Sequence, residues 1–283
     1  MEAVMQFKMI NTSDDRDSML YRVDEQHIDL ALRYRIQLIR CEPTTRLRIP
    51  HLSSTYADGD GKLHDDGGAI YNLAAWEDWE WNAFRDNLPK VIKDFWNEKY
   101  ELTPSRPWFQ PLPHQGLTAP KVTCSLDIEL VNSPARAHQR YFIIKLKPNQ
   151  PFFRSFAFPS ERAGVFTQND LSPMTRHRRT RIGHGRRAAW HDVTYFQTVI
   201  LHEFGHTMGL DHVNGPGNDH ANYGITLEER SNEMGIGNEV QTAQAKPWIS
   251  QLRRHLIRSP KDHAVQFKAR VVGQQSASSL YID

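Results

Sequence analysis

The chain has 283 residues, 39% of them hydrophobic and 24% charged, with a formal net charge of +2. That length accommodates one large domain or two modest ones, and no run approaches the ~18 apolar residues of a membrane span, so a soluble globular protein is expected. The near-balanced charge points to no nucleic-acid or membrane partner for the chain as a whole, and two cysteines, Cys41 and Cys124, exclude a disulfide framework.

Taken in chain order, the stretch from Met1 to Met19 places Asn11, Thr12, Asp14, Asp15 and Asp17 where a secretory signal needs an unbroken apolar segment. No Sec-type signal is expected there. Residues 1–30 lack a sustained period and read as an N-terminal extension. Leu32, Tyr34, Ile36 and Leu38 then alternate with Arg33, Arg35 and Gln37, which predicts a strand near 31–40. The Asp- and Gly-rich run 57–68 offers carboxylates for calcium, but its glycine spacing departs from the EF-hand loop, and a solvated turn is the plainer reading. Asn87 before Leu88-Pro89 looks like a cap opening a helix over 88–99. Four prolines from Pro104 to Pro113 predict a loop. Val122, Cys124, Leu126, Ile128 and Leu130 alternate with polar residues, predicting a half-buried strand over 121–131, and residues 141–147 predict another. Both cysteines fall in strand-like segments and read as buried thiols. The segment 151–173 reads as irregular, with at most one short edge strand. Arg176 to Arg187 carries six arginines and reads as a solvated loop, with phosphate or nucleic-acid contact as the alternative.

From Asp192, taken as an N-cap, Val193, Phe196, Ile200 and Phe204 recur at helical spacing into LHEFGHTMGLDH, residues 201–212. On a helix His202 and His206 are i and i+4, so both imidazoles leave one face and can grip one ion. Glu203 lies about 100° around from His202, suited to act as a base on a bound water. Gly209 can take a positive φ, end the helix and let His212 return as third ligand. Three histidines leave a fourth position open, the pattern of a catalytic zinc site. At roughly 0.05 per fixed position, five fixed positions match by chance in about one chain in ten thousand. Lone histidines elsewhere, His27, His114, His138 and His255, read as surface or core residues.

The segment HEFGHTMGLDH resembles the extended zinc motif of the metzincin metallopeptidases. That family carries a methionine on a tight turn under the metal, and Met234 in SNEMGIGN, 22 residues after His212, suits it. Some members have a tyrosine two residues later, where this chain has Ile236. His220 and Tyr223 lie in the intervening loop and are candidate contacts to substrate or transition state. The resemblance implies an α+β fold, with a mixed β-sheet, a backing helix and the active-site helix above a cleft and a smaller C-terminal subdomain with a helix below. On it, residues 31–260 form a catalytic domain, the upper part to about 212 and the lower part 213–260. Trp248, Ile249, Leu252 and Leu256 line the C-terminal helix that Pro247 opens, and residues 261–283 form a tail or an added strand. The implied activity is zinc-dependent cleavage of a protein or peptide substrate, with Glu203 as general base. Without a Sec-type signal, an effector or toxin exported by a signal-independent route is the preferred biology. The alternatives are an intracellular protease recruited to nucleic acid through Arg176–Arg187, and a zinc-binding interaction module without activity. No inhibitor or immunity partner is named by the sequence.

Overall fold

A computed structural model describes residues 8–24, 26–49, 52–110, 116–256, 265–273 and 280–282. In chain order its first elements are β1 (Lys8–Asn11), β2 (Asp17–Arg22), β3 (His27–Cys41), β4 (Arg46–Ile49), β5 (Leu52–Asp58), β6 (Lys62–His64), β7 (Ile70–Asn72), α1 (Asp78–Trp96), β8 (Tyr100–Pro104) and β9 (Lys121–Leu130). There follow β10 (Gln139–Ile144), β11 (Phe156–Phe158), β12 (Ala163–Thr167), β13 (Met174–Ile182), β14 (Ala189–Gln197), α2 (Val199–Thr207), α3 (Leu227–Ser231), α4 (Lys246–Leu256), β15 (Phe267–Val271) and β16 (Leu280–Ile282). Sheets with a few separate helices make this an α+β protein, and no helix among the described residues is long and apolar enough to cross a membrane. His114 and much of the segment after Leu256 lie outside the described residues.

The chain divides into two compact units. The first takes the described residues of Met1–Tyr34, Lys93–Ile128 and Glu239–Ser278. Its strands run in the order β1-β2-β3-β9-β8-β15, with β3 contributing its first half. The expected alternation of β9 is present, Val122, Cys124, Leu126 and Ile128 being buried and the residues between them half-buried. β1 and β2 occupy the stretch that shows no period in the sequence. Four consecutive residues of β2, Asp17 to Leu20, are buried, so both faces of the strand are covered and its polar pair, Asp17 and Ser18, precedes the apolar pair Met19 and Leu20 with no alternation to be read. On α4, Trp248 meets the Tyr100 ring at 5.5 Å and its indole N–H donates to the Ser125 carbonyl at 2.8 Å. Ser18 Oγ lies 2.9 Å from His255 Nε2.

The second unit takes Arg35–Ile92, Glu129–Asn238 and the described end of Ser279–Asp283. The second half of β3 lies parallel to β10, β10 lies parallel to β12, and the short β11 closes the row antiparallel to β12. A separate sheet in the order β4-β5-β6-β7 packs on it through Leu47, Leu63 and Tyr71 against Phe142, Ile144 and Val165. A third sheet has the order β13-β14-β16. Cys41, in this unit, and Cys124, in the first, are buried free thiols, and burial pushes Cys41 up to about 12.

Four expectations about local structure are corrected. α1 opens at Asp78, not at Asn87, and Pro89 lies within it. The lost hydrogen bond is tolerated because Phe84, Leu88, Ile92 and Trp96, four residues apart, form one buried stripe along the helix. Besides the short edge strand expected there, which is β11, the irregular segment contains β12, buried at all five positions and therefore without an exposed polar face to mark it. The six-arginine run is no loop: it forms β13 and the turn after it, paired with β14 over nine residues from Met174↔Gln197 to Ile182↔Ala189. Val193 and Phe196 accordingly belong to β14, and the histidine-bearing helix α2 starts at Val199 with Asp192 well before it. The aromatic and β-branched run of Trp190, Val193, Thr194, Tyr195 and Phe196 favours an extended chain, and pairing on both sides of β14 decides it.

Candidate metal centre

The centre is built on α2, which is buried at every position but His206. Its first turn is held by the Asp170 carbonyl, which accepts from Ile200 N–H at 3.1 Å. The Asp170 side chain is buried beside it and accepts from Ser155 Oγ and Thr167 N–H, both at 2.6 Å. At the last residue of the helix, Thr207 Oγ1 donates to the Glu203 carbonyl at 3.2 Å and lies 2.7 Å from the Tyr141 hydroxyl of β10.

The helix ends as the sequence predicts, at Gly209. Its φ of +90° is one that residues with a Cβ rarely adopt. Gly209 N–H bonds the His206 carbonyl at 2.8 Å and Leu210 N–H the Gly205 carbonyl at 3.0 Å, the two bonds of a Schellman turn. That turn aims the Leu210 carbonyl back at the helix, where it accepts from His206 Nδ1 at 2.8 Å. Helix termination and ligand orientation are thus one structure.

His202, His206 and His212 converge, with one ring nitrogen of each within 4.8 Å of the others, and this group could hold a metal ion. Each ring is fixed in the same way. Nδ1 of His202 donates to the Glu233 carbonyl at 2.6 Å, that of His206 to Leu210, and that of His212 to the Gly217 carbonyl at 2.6 Å. A carbonyl oxygen only accepts, so each Nδ1 carries the proton and each Nε2 presents a lone pair. Nε2 of His206 and His212 face one another at 3.2 Å. Two lone pairs at that distance repel unless a cation or proton lies between them, and tetrahedral zinc ligands stand about 3.3 Å apart, so the donor set fits such an ion. Burial also holds all three imidazoles below their ordinary range, His212 at about 4, which keeps them neutral and able to coordinate.

Met234 is buried in a tight turn that bears on His202 through the Glu233 carbonyl. Met234 N–H is bonded by Asn232 Oδ1 at 2.7 Å, and Gln197 Nε2 donates to the Glu233 and Gly235 carbonyls at 3.4 Å. At Gly237 an added Cβ would sit 2.1 Å from the Ser231 carbonyl oxygen, so the turn closes only without a side chain. Ile236 is buried. Tyr223 instead supplies the aromatic neighbour, its ring 3.9 Å from that of His212 and 6.0 Å from that of His202. His220 bonds Arg178 at 2.7 Å and is not among the residues lining the cavity beside the histidines.

That cavity, of about 420 Å³, is bounded by Glu203, His206, His212, Arg154, Phe156, Phe158, Leu210 and the acidic pair Asp65 and Asp66. Glu203 accepts from the Ala157 N–H of β11 at 2.9 Å, and burial raises its carboxyl to about 8. Arg154 donates to the Tyr223 hydroxyl at 2.8 Å and to Asn218 Oδ1 at 2.9 Å. Arg154, Asp170 and Gln197 were missed by reading the sequence. They come from a segment without period and from strand and loop ends, and no spacing ties them to the histidines. No family model, no curated protein and no solved structure matches the chain.

Proposed function

We propose that this protein is a zinc-dependent endopeptidase of the metzincin type. The observation that carries the reading is the set of three histidines, each with Nδ1 locked on a backbone carbonyl, beside a buried carboxylate in the same cavity. The turn around Met234 bearing on His202 supports the metzincin form of it. Zinc bound there would act as a Lewis acid toward water and a substrate carbonyl.

The rest of the chemistry falls to side chains of the chain. Glu203 takes a proton from the attacking water and returns it to the leaving amine; burial raises its carboxyl to about 8, which favours giving the proton up to the amine late, and a cation on the histidines would lower it toward the carboxylate that accepts the proton first. Arg154 donates to the Tyr223 oxygen, whose own proton rests on Asn218 Oδ1 in a long 3.4 Å bond and can turn from it to an oxyanion. β11 ends its row of strands, and an extended peptide can add to such an edge. Phe156, Phe158 and Leu210 on the cavity wall suit an apolar substrate side chain.

The test is incubation of zinc-loaded protein with an unfolded protein substrate, beside a chelated sample and the Glu203→Gln variant, followed by gel and peptide mapping. Cleavage by the loaded wild type alone supports the reading. Zinc binding by both proteins without cleavage of any unfolded substrate would leave a binding module in its place.

A further inference from the structure

The ribbon formed by β13 and β14 is not used by the histidine centre. From Met174 to Gln197 it carries six arginines against one carboxylate, Asp192, a local charge of +5. Since the whole chain carries +2, all other residues together carry −3. The positive charge of this protein is therefore concentrated in one hairpin.

Three of the arginines have a partner within the chain: Arg176 lies 3.9 Å over the Phe152 ring, Arg178 bonds His220, and Arg181 makes a long 3.5 Å bond to the Gly185 carbonyl at the turn. Arg179, Arg181, Arg186 and Arg187 are exposed, and none is in a salt bridge with a carboxylate of the described residues. The register places Arg181 directly opposite Trp190 and Arg179 opposite Asp192, so these side chains share the outward face. Gly183 and Gly185, both at positive φ, turn the chain so that Arg186 and Arg187 follow at the tip beside that face. Trp190 is 61% exposed, although Val193 and Tyr195 of the same strand are buried.

Crowded like charges weaken a ribbon, and protecting a free strand edge needs only one or two of them. An aromatic face held open among exposed guanidiniums that lack a carboxylate partner matches a polyanion that offers rings to stack. A single strand of nucleic acid has both, whereas the paired bases of a duplex hide their faces. We propose that the outward face of the β13–β14 ribbon binds single-stranded nucleic acid, with a base stacked on Trp190 and phosphates held by Arg179, Arg181, Arg186 and Arg187. This holds whether or not the histidine centre cleaves peptides.

The test uses the full chain and a fluorescein-labelled oligothymidylate of about 20 nucleotides. Anisotropy is followed from about 25 to 200 mM NaCl, beside a duplex of equal length and vesicles of anionic phospholipid. Trp190→Ala should weaken oligothymidylate binding about 5- to 100-fold with the salt slope unchanged. The double variant Arg186→Ala, Arg187→Ala should lower the slope of log K against log salt by about 1.4. All these positions are exposed, and circular dichroism checks that the variants remain folded. Absence of binding at the lowest salt, or binding indifferent to both variants, overturns the proposal. So does equal affinity for duplex or vesicles that Trp190→Ala leaves unchanged, which would mark a general polyanion surface.

Discussion

The histidine centre and the arginine ribbon are neighbours in sequence and treat their polar groups in opposite ways. Around the centre nearly every buried polar atom has a partner from the chain: three ring nitrogens on three carbonyls, Glu203 on Ala157, Asp170 on Ser155 and Thr167. An exception is Glu233, buried with neither carboxyl oxygen hydrogen-bonded, and burial pushes it well above the usual carboxylate range. On the ribbon four guanidiniums are exposed and none is in a salt bridge with a described carboxylate, Arg181 having only a long bond to the Gly185 carbonyl. Removing one member of a dry, paired set leaves the other unsatisfied, whereas removing a solvated charge changes little but long-range electrostatics. Substitutions at the two places should therefore differ by an order of magnitude in effect.

The largest effect expected is on turnover. Glu203→Gln should lower peptide hydrolysis at least about a hundredfold while zinc binding persists, as read by single-turnover kinetics and a zinc titration. A variant retaining a tenth or more of the activity would move the proton transfer to another group.

Next is Asp170, whose carboxyl burial raises from 3.8 to about 6. The folded state then binds the proton more tightly than the unfolded chain. The stability that this brings is complete below the unfolded value and is lost as pH rises from about 4 to 6. Asp170→Asn keeps an oxygen for Ser155 and Thr167 and removes the titration. Its stability relative to wild type should rise across that window by up to about 3 kcal/mol, measured by urea denaturation at pH 4 and 7. A difference that does not change with pH would mean that the Asp170 site is wet.

The contrast also explains what could be read from the sequence. His202, His206, Gly209 and His212 are tied by chain geometry: one helical turn, one helix end and one return, all within eleven residues. Their spacing therefore encodes their convergence. The ribbon is decided by partners. Val193 and Phe196 fit a helical period as well as a strand, and only pairing of β14 with β13 and β16 selects the latter. β12 is buried on all sides and shows no alternation, and Arg154 reaches the cavity from a segment with no period. The α+β class was legible because β3 and β9 keep one polar face. The division into two units was not, since each is assembled from distant stretches.

Two glycines sharpen the comparison at the centre itself. Gly237→Ala forces a Cβ against the Ser231 carbonyl and should destabilise by about 2–3 kcal/mol. Because the same turn holds His202, zinc affinity should fall about tenfold or more. Gly209→Ala incurs the backbone cost of a positive φ, about 1–2 kcal/mol in thermal or urea unfolding. If zinc affinity falls as far in the second variant as in the first, the Leu210 carbonyl matters to the metal as much as that of Glu233.

The smallest effect is expected at Arg187, exposed at the ribbon tip and outside any salt bridge with the described residues. Arg187→Ala should change unfolding free energy by no more than about 0.5 kcal/mol. The sign at low salt should be stabilising, because one of six like charges is removed, and about 0.5 M NaCl should abolish the difference by screening. A loss above about 1 kcal/mol that salt does not alter would show that Arg187 packs as part of the hairpin. The ribbon would then share the character of the histidine centre, and its charge would no longer be free for a partner.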